Sequence, residues 1–241
     1  RSGRTRRRAG VEQVLVVAQG ALALVLLVGA SLTVRSLQRL AAVPLGFEPD
    51  ATLSLTVRVP AAEAEGADEL LSFARSVEGR LTGLAGVERV GWTSRLPLSS
   101  GIGSGSRFRL PRATEADAIG STVSMASDGF FEAAGVALLG GQGIDPAMAA
   151  DEIVVNQAFA DSLFGSVAAA VGGIVEEAQL NEGQLEWHPR RIRGVVASVR
   201  PGGPRNGVRP ANYLPPERWP SREIGFALRV PGNPSEWRAA A

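Results

Sequence analysis

The chain has 241 residues, a single histidine, no cysteine and a formal net charge of +1, and all of its cationic side chains other than that histidine are arginine. Without cysteine there is no disulfide and no thiolate metal site; without lysine there is no Schiff-base chemistry and no phosphate-loop lysine. Arg1, Arg4, Arg6, Arg7 and Arg8 carry the positive balance, so the remainder is mildly acidic, and no basic stretch interleaved with aromatics points to nucleic acid.

The first predicted element is a membrane helix. Val14 to Val34 contains no charged residue. At about 1.5 Å rise per residue the run is about 30 Å long, the thickness of a bilayer's hydrocarbon core. A secretory signal has a shorter apolar core of roughly 7–15 residues, so the helix is expected to be retained; the small residues of VGAS keep cleavage open as the competing reading. A buried helix of a soluble domain would keep a polar face, and here little besides Gln19 and Ser31 interrupts the run. The five leading arginines outnumber Arg35 and Arg39 behind the helix, which places the N-terminus in the cytoplasm and the bulk of the chain across the membrane. They are a topology signal or a contact with anionic lipid. Gly20, Ala21, Ala23, Gly29 and Ala30 are small enough to let another helix approach closely.

Beyond the helix, about 200 residues suffice for one domain or two small subdomains. The segment LAAVPLGFEPDA is a linker. In ATLSLTVRVP, Leu53, Leu55, Val57 and Val59 alternate with Ser54, Thr56 and Arg58, the pattern of a half-buried strand ended by Pro60. ADELLSFARSVEGRLTGL repeats apolar residues at three- and four-residue steps, with Asp68 as its expected N-cap and Glu69, Arg75, Glu78 and Arg80 on the outer side. A strand follows through Val87, Val90 and Trp92, completing a β–α–β unit. SSGIGSGSRFRLPRATEADA reads as a loop or ragged hairpin, and STVSMAS as a short strand. DGFFEAAG predicts a short helix capped by Asp128 and ending near Gly135; Ile153–Val155 a strand running into a helix Gln157–Phe164; Ile192–Val199 a strand; Asn212–Leu214 an extended piece; and EIGFALRV a last strand. NPSEWRAAA starts a helix, and with the initial arginine this suggests a piece of a longer polypeptide. The fold class is α+β, mixed α/β.

No catalytic constellation emerges. His188 has neither a second histidine nor a cysteine to work with. Gly101–Ser106 lacks the lysine and the helix of a phosphate loop, and Gly101, Ser104 and Gly105 miss the spacing of a nucleophile elbow. Glu176 and Glu177 are adjacent, so on a strand they face opposite ways, as on a solvated edge. An anchored mixed domain of this kind is expected to bind or transmit force, not to catalyse.

Laid out in order, the pieces resemble the MacB/FtsX-type permeases of ABC transporters, most closely the large duplicated permeases common in acidobacterial genomes. The matching stretches are VVAQGALALVLLVGASLTVRSLQRL; PLGFEPD with Gly46 and Phe47; LTGLAGVERVGWTSRLPLS with Gly86, Val87, Leu96 and Pro97; SDGFFEAAGVALLGGQGI; IVVNQAFADSLFG with Asn156; RIRGVVASVR with Gly194 and Val195; NYLPPE with Tyr213 and Pro215; and FALRVPGNP. Gln142 stands where the family pattern carries Arg, and the stretch before RIRGV is degraded. The resemblance implies a basic cytoplasmic segment and transmembrane helix (1–40), a porter-like subdomain (41–100) completed by a returning strand and the start of a helix (223–241), and an inserted second subdomain (101–222). It also implies three further membrane helices, a separate ATP-binding subunit, a homodimer or second permease half, and a periplasmic adaptor. The location would be the inner (plasma) membrane with the main domain extracytoplasmic, and the role efflux or mechanotransmission without cofactor. The competing reading is an anchored binding or scaffold module with no ATPase coupling, and the third a secreted enzyme with a cleaved signal.

Overall fold

The computed structural model describes residues 2–41, 43–60, 66–97, 104–181, 183–203, 207–218 and 220–232, together with Pro234 and Trp237. It is a mixed α/β protein in two compact units, Arg1–Pro44 and Leu45–Ala241.

The first unit is the helix α1 (Ser2–Ala41). Its 40 residues correspond to about 60 Å, twice the hydrocarbon core of a bilayer. Within it Val17–Leu40 is long and apolar enough to cross a membrane, and none of that stretch is buried against protein. The hydroxyls in the run are satisfied locally: Ser31 Oγ donates to Leu27 O and Thr33 Oγ1 to Gly29 O, both at 2.8 Å. Such back-bonding to the preceding turn lets a hydroxyl sit in an apolar helix without an unpaired donor.

The second unit contains two sheets. The smaller is antiparallel, built from β1 (Thr52–Arg58), β2 (Arg89–Thr93) and β10 (Glu223–Arg229), with the last strand in the middle. Phe226 lies opposite Leu55 on one side and Trp92 on the other. Helix α2 (Ala67–Thr82) covers β2 and β10 with Leu70, Leu71 and Ala74, enclosing Ile224, Phe226, Leu228 and Val230. Leu53 and Val57 are half-buried as their alternation requires, but Leu55 stays 42% exposed because α2 leaves the edge strand partly uncovered. The helix is capped by Gly66, not Asp68; Asp68 and Glu69 fall in its first turn, where a carboxylate is favoured by the helix dipole.

The larger sheet runs β5 (Leu138–Gly141), β8 (Gln184–Val196), β6 (Glu152–Asn156), β9 (Ala211–Leu214), β4 (Ile119–Met125), β3 (Ser104–Arg109), β7 (Ile174–Asn181), and β7 pairs again with β8. The pairings therefore close into a ring of six strands with β5 attached. The 13-residue β8 makes closure possible: Gln184–Arg191 pairs with β7 while Arg191–Val196 pairs with β6. Phe108, Ile153, Val155, Val175, Ile192 and Val195 form one core on the ring. The helices α4 (Gln157–Phe164) and α5 (Val167–Ala170) close it with Phe159, Ala160 and Ala170.

A third core joins the two sheets. Helix α3 (Phe130–Ala134) wedges Phe130 and Phe131 between Val154, Val196 and Tyr213 of the ring and, on the other side, Ala227 of the small sheet and Leu96 just after β2. Phe131 meets Tyr213 edge-on at 5.0 Å. The wedge sits flush because Gly91 has no side chain: a Cβ there would lie 2.2 Å from Phe130 N. Asp128 accepts a bond from Gly129 N without capping α3, whose C-terminal end is the left-handed Gly135.

Candidate functional site

The positions that carried the family resemblance are mostly pins of the backbone. Gly46 is left-handed (φ 82°), and a Cβ on it would lie 2.0 Å from Ser198 O. Gly194 is crowded in the same way by Gln142 O, at 2.1 Å. Gly86 is left-handed too (φ 88°) and lies under the ring of Trp237. Phe47 packs against the core between the sheets and Val87 against the small-sheet core, while Leu96 and Val195 are buried. Asn156 caps α4: its Oδ1 accepts from Phe159 N at 2.9 Å and from Ala211 N at 3.0 Å, and its Nδ2 donates to Arg209 O at 2.8 Å. Tyr213 is buried, and Pro97 and Pro215 line two different pockets. Arg1 lies outside the described residues; Arg4, Arg6, Arg7 and Arg8 are on the α1 backbone. Gly20, Ala23, Gly29 and Ala30 are exposed on α1, with open space around Gly20 and Gly29.

A cleft of about 630 Å³ lies between the two sheets, a size that suits a ligand or a peptide segment. Helix α2 supplies Arg75 and Glu78, which the helical pattern assigns to its outer side; β2 supplies Trp92; the turn after β4 supplies Asp128; and the short 3-10 turn Pro216–Arg218 supplies Glu217 and Arg218. The Trp92 indole N–H donates to Glu78 Oε2 at 3.2 Å. Burial of the Glu78 carboxyl pushes its pKa up; the Trp92 bond and the Arg75 charge oppose this, and the Asp128 charge adds to it. Arg75 reaches across the opening to Glu217 at 2.7 Å. Arg218 donates to Ala149 O at 2.6 Å, and burial holds its pKa down. The cleft thus presents an indole and the carboxylates of Glu78, Asp128 and Asp145 beside an ion pair that ties one sheet's helix to the other sheet's turn.

Behind the cleft, arginines organise the ring. Arg193 on β8, with a side chain only 10% exposed, binds Asp145, Glu152 (2.9 Å) and Gly143 O (3.0 Å). The Arg193 hydrogen bond is the main reason the Glu152 carboxyl is held below its usual range. Glu176 and Glu177 correct the expectation of a solvated edge. They do face opposite ways on β7, but each is gripped from a neighbouring strand: Glu176 by Arg109 at 2.8 Å and Glu177 by Arg190 at 2.7 Å. Arg109 also stacks on Trp187, 4.0 Å from its centroid. His188 lies on β8, partly exposed, 3.4 Å from Glu186. Gly101 to Gly103 lie outside the described residues, and Ser104 to Ser106 begin β3. Among the described residues no cluster of three or more His, Cys, Asp or Glu side chains is placed to hold a metal ion.

No protein-family model and no curated protein matches the chain. Among solved structures, the chain is similar to the extracellular domain of the noncanonic ABC-type transporter YknZ from Gram-positive bacteria, with 15% identity, a TM-score of 0.45 and coverage of 78% of this chain and 87% of that one. It is also similar to a domain of a protein described as a permease from Porphyromonas gingivalis, with 15% identity, a TM-score of 0.46 and coverage of 82% of each chain.

Proposed function

We propose that this chain is the permease component of a MacB/FtsX-type ABC transporter. ATP hydrolysis by a separate cytoplasmic subunit would move its extracytoplasmic domain and so drive efflux or mechanical signalling across the envelope. The observation that supports this most is a two-sheet domain, following a membrane-length helix in the chain, whose halves are joined in two unlike ways. On one side they share the packed core around Phe131; on the other the Arg75–Glu217 pair, exposed to solvent, bridges the cleft. A packed joint resists sliding, whereas an exposed ion pair is worth under about 1 kcal/mol and opens easily. That is the behaviour a moving domain needs.

In this reading 1–40 is the cytoplasmic segment and transmembrane helix, with Arg1, Arg4, Arg6, Arg7 and Arg8 setting its orientation. Residues 41–100 and 223–241 make the porter-like subdomain, and 101–222 the insert. Gly20, Ala23, Gly29 and Ala30 face another membrane helix of the same chain or of a second permease half. The protein is not an enzyme, and its partners are the ATPase subunit, an envelope adaptor and membrane lipid. The test is affinity purification of the full-length gene product from detergent-solubilised membranes. A stoichiometric co-purifying ATPase is the expected outcome. Its absence, where a known transporter of this class retains its own, would leave an anchored scaffold that binds without energy coupling.

A further inference from the structure

A second and smaller pocket, of about 60 Å³, lies over β4 and β9, and the transport reading makes no use of it. The two strands run parallel, with Thr122 beside Ala211 and Ser124 beside Tyr213. Alternation along each strand turns Thr122, Ser124 and Tyr213 to the same face, and all three line the pocket. Ser124 and Tyr213 are only 6% and 8% exposed. Among the described residues none of the three hydroxyls has a protein hydrogen-bond partner, and none of their oxygens is among the polar atoms sealed from solvent, so they are open to the pocket. Hydroxyls that line a pocket without a protein partner are left to pair with water or with a ligand. Burial alone lifts the Tyr213 phenol to about 12, so it is a protonated donor at any physiological pH.

The rest of the lining says what is received. Leu96 and Phe130 make an apolar wall, and Arg209 brings a guanidinium. Arg209 is exposed, and its side chain forms no ion pair among the described residues. Its backbone is nonetheless fixed, because Asn156 Nδ2 holds Arg209 O and Asn156 Oδ1 holds Ala211 N. A guanidinium grips a planar carboxylate bidentately. The volume is well under the ~150 Å³ of an apolar cavity that accepts benzene, and suits an alkyl group of about three or four carbons. A carboxylate with a branched alkyl group one or two bonds away satisfies both halves at once. A phosphate ester would set its alkyl group too far from the anion.

We infer that this pocket binds a small branched aliphatic carboxylate, the chemistry shared by a peptide C-terminus ending in valine or leucine and by the free branched acid. Arg209 faces the carboxylate, the Ser124 and Tyr213 hydroxyls donate to it, and the alkyl group lies against Phe130 and Leu96. The inference does not depend on energy coupling, and fails or stands independently of the ATPase co-purification.

The experiment is calorimetry on the full chain in lipid nanodiscs, titrated with Ala-Ala-Val, its C-terminal amide, isovalerate and inorganic phosphate. At least one of the two carboxylates is expected to bind with a Kd of about 0.1–1 mM, given its few heavy atoms. Binding by the tripeptide only assigns the site to chain termini, and binding by isovalerate as well assigns it to the free acid. The amide, Arg209→Gln and Tyr213→Phe are each expected to weaken binding, the first two by about tenfold or more. Arg209 is exposed and Tyr213→Phe keeps the ring in its core, so both variants fold. The inference is overturned if neither carboxylate binds up to about 10 mM, if amide or phosphate binds equally well, or if Arg209→Gln changes nothing. The pocket then holds water.

Discussion

Arg193→Met is the substitution whose consequence is best defined by the geometry. Methionine retains an apolar stem but deletes a guanidinium whose donors reach Asp145, Glu152 Oε2 and Gly143 O. Glu152 is left with the Ala149 N–H at 3.0 Å. Removing one partner of a buried ion pair costs about 3–5 kcal/mol. Here Glu152 is 19% exposed but Asp145 is 44% exposed and can rehydrate, which brings the expectation to about 2–4 kcal/mol. For a chain of this size that is a fall in Tm of about 4–16 °C. The loss has a defined pH dependence. The folded-state pKa of Glu152 lies below its unfolded value of 4.5, chiefly because of Arg193. Its contribution is therefore fully present above pH 4.5 and disappears as pH falls through the folded pKa. The substitution removes that contribution, so wild type and variant should differ most near neutrality and converge in acid. Urea unfolding of the detergent-solubilised chain, followed by tryptophan fluorescence at both pH extremes, measures this. A deficit under about 0.5 kcal/mol at neutral pH, the level of an ordinary surface change, or a deficit unchanged in acid, would refute the reasoning.

Other expectations follow from the same kind of argument. Asn156→Ala strips a cap and leaves the amides of Phe159 and Ala211 and the carbonyl of Arg209 without their partner; a loss of about 2–4 kcal/mol in the same unfolding assay is expected. Gly194→Ala drives a Cβ to 2.1 Å from Gln142 O, a backbone atom that cannot swing away, so amide exchange in Leu138–Gly141 should accelerate as β5 parts from β8. Glu217→Gln removes an exposed pair and should change stability by under about 1 kcal/mol, yet speed exchange at 215–218 by releasing the cleft. Glu78→Gln should stabilise the protein at neutral pH. The folded pKa of Glu78 is raised above 4.5 by burial, so its ionised form costs stability at high pH; the benefit of the variant should vanish below 4.5, where the carboxyl is protonated folded and unfolded alike. A benefit that persists in acid would contradict that assignment.

Among the resemblance-bearing positions, Gly46, Gly86, Gly194 and Asn156 leave a local mark in the sequence: a glycine at a tight approach, or an asparagine before a helix. The cleft was not. Arg75 and Glu78 show in sequence as the solvent side of α2, and Asp128 as a helix cap; that these three meet Glu217 and Trp92 depends on chain segments more than a hundred residues apart. The carboxylates Glu176 and Glu177 hid β7 for a related reason. A strand is recognised by one apolar face, and this one is stabilised on both faces by arginines from β3 and β8.

The sequence by itself determined whatever a single run of residues reports about its own solvent. An uncharged stretch became α1, three- and four-residue apolar steps became α2, and Gln157–Phe164 became α4 behind its asparagine cap. The tertiary structure decided the partnerships: β10 inserted between β1 and β2, β8 long enough to serve both β7 and β6, and the two sheets joined through α3. Periodicity records which face of an element is dry. Which distant element dries it is set by register and by close approaches such as Gly91 against Phe130, and those exist only once the chain has folded.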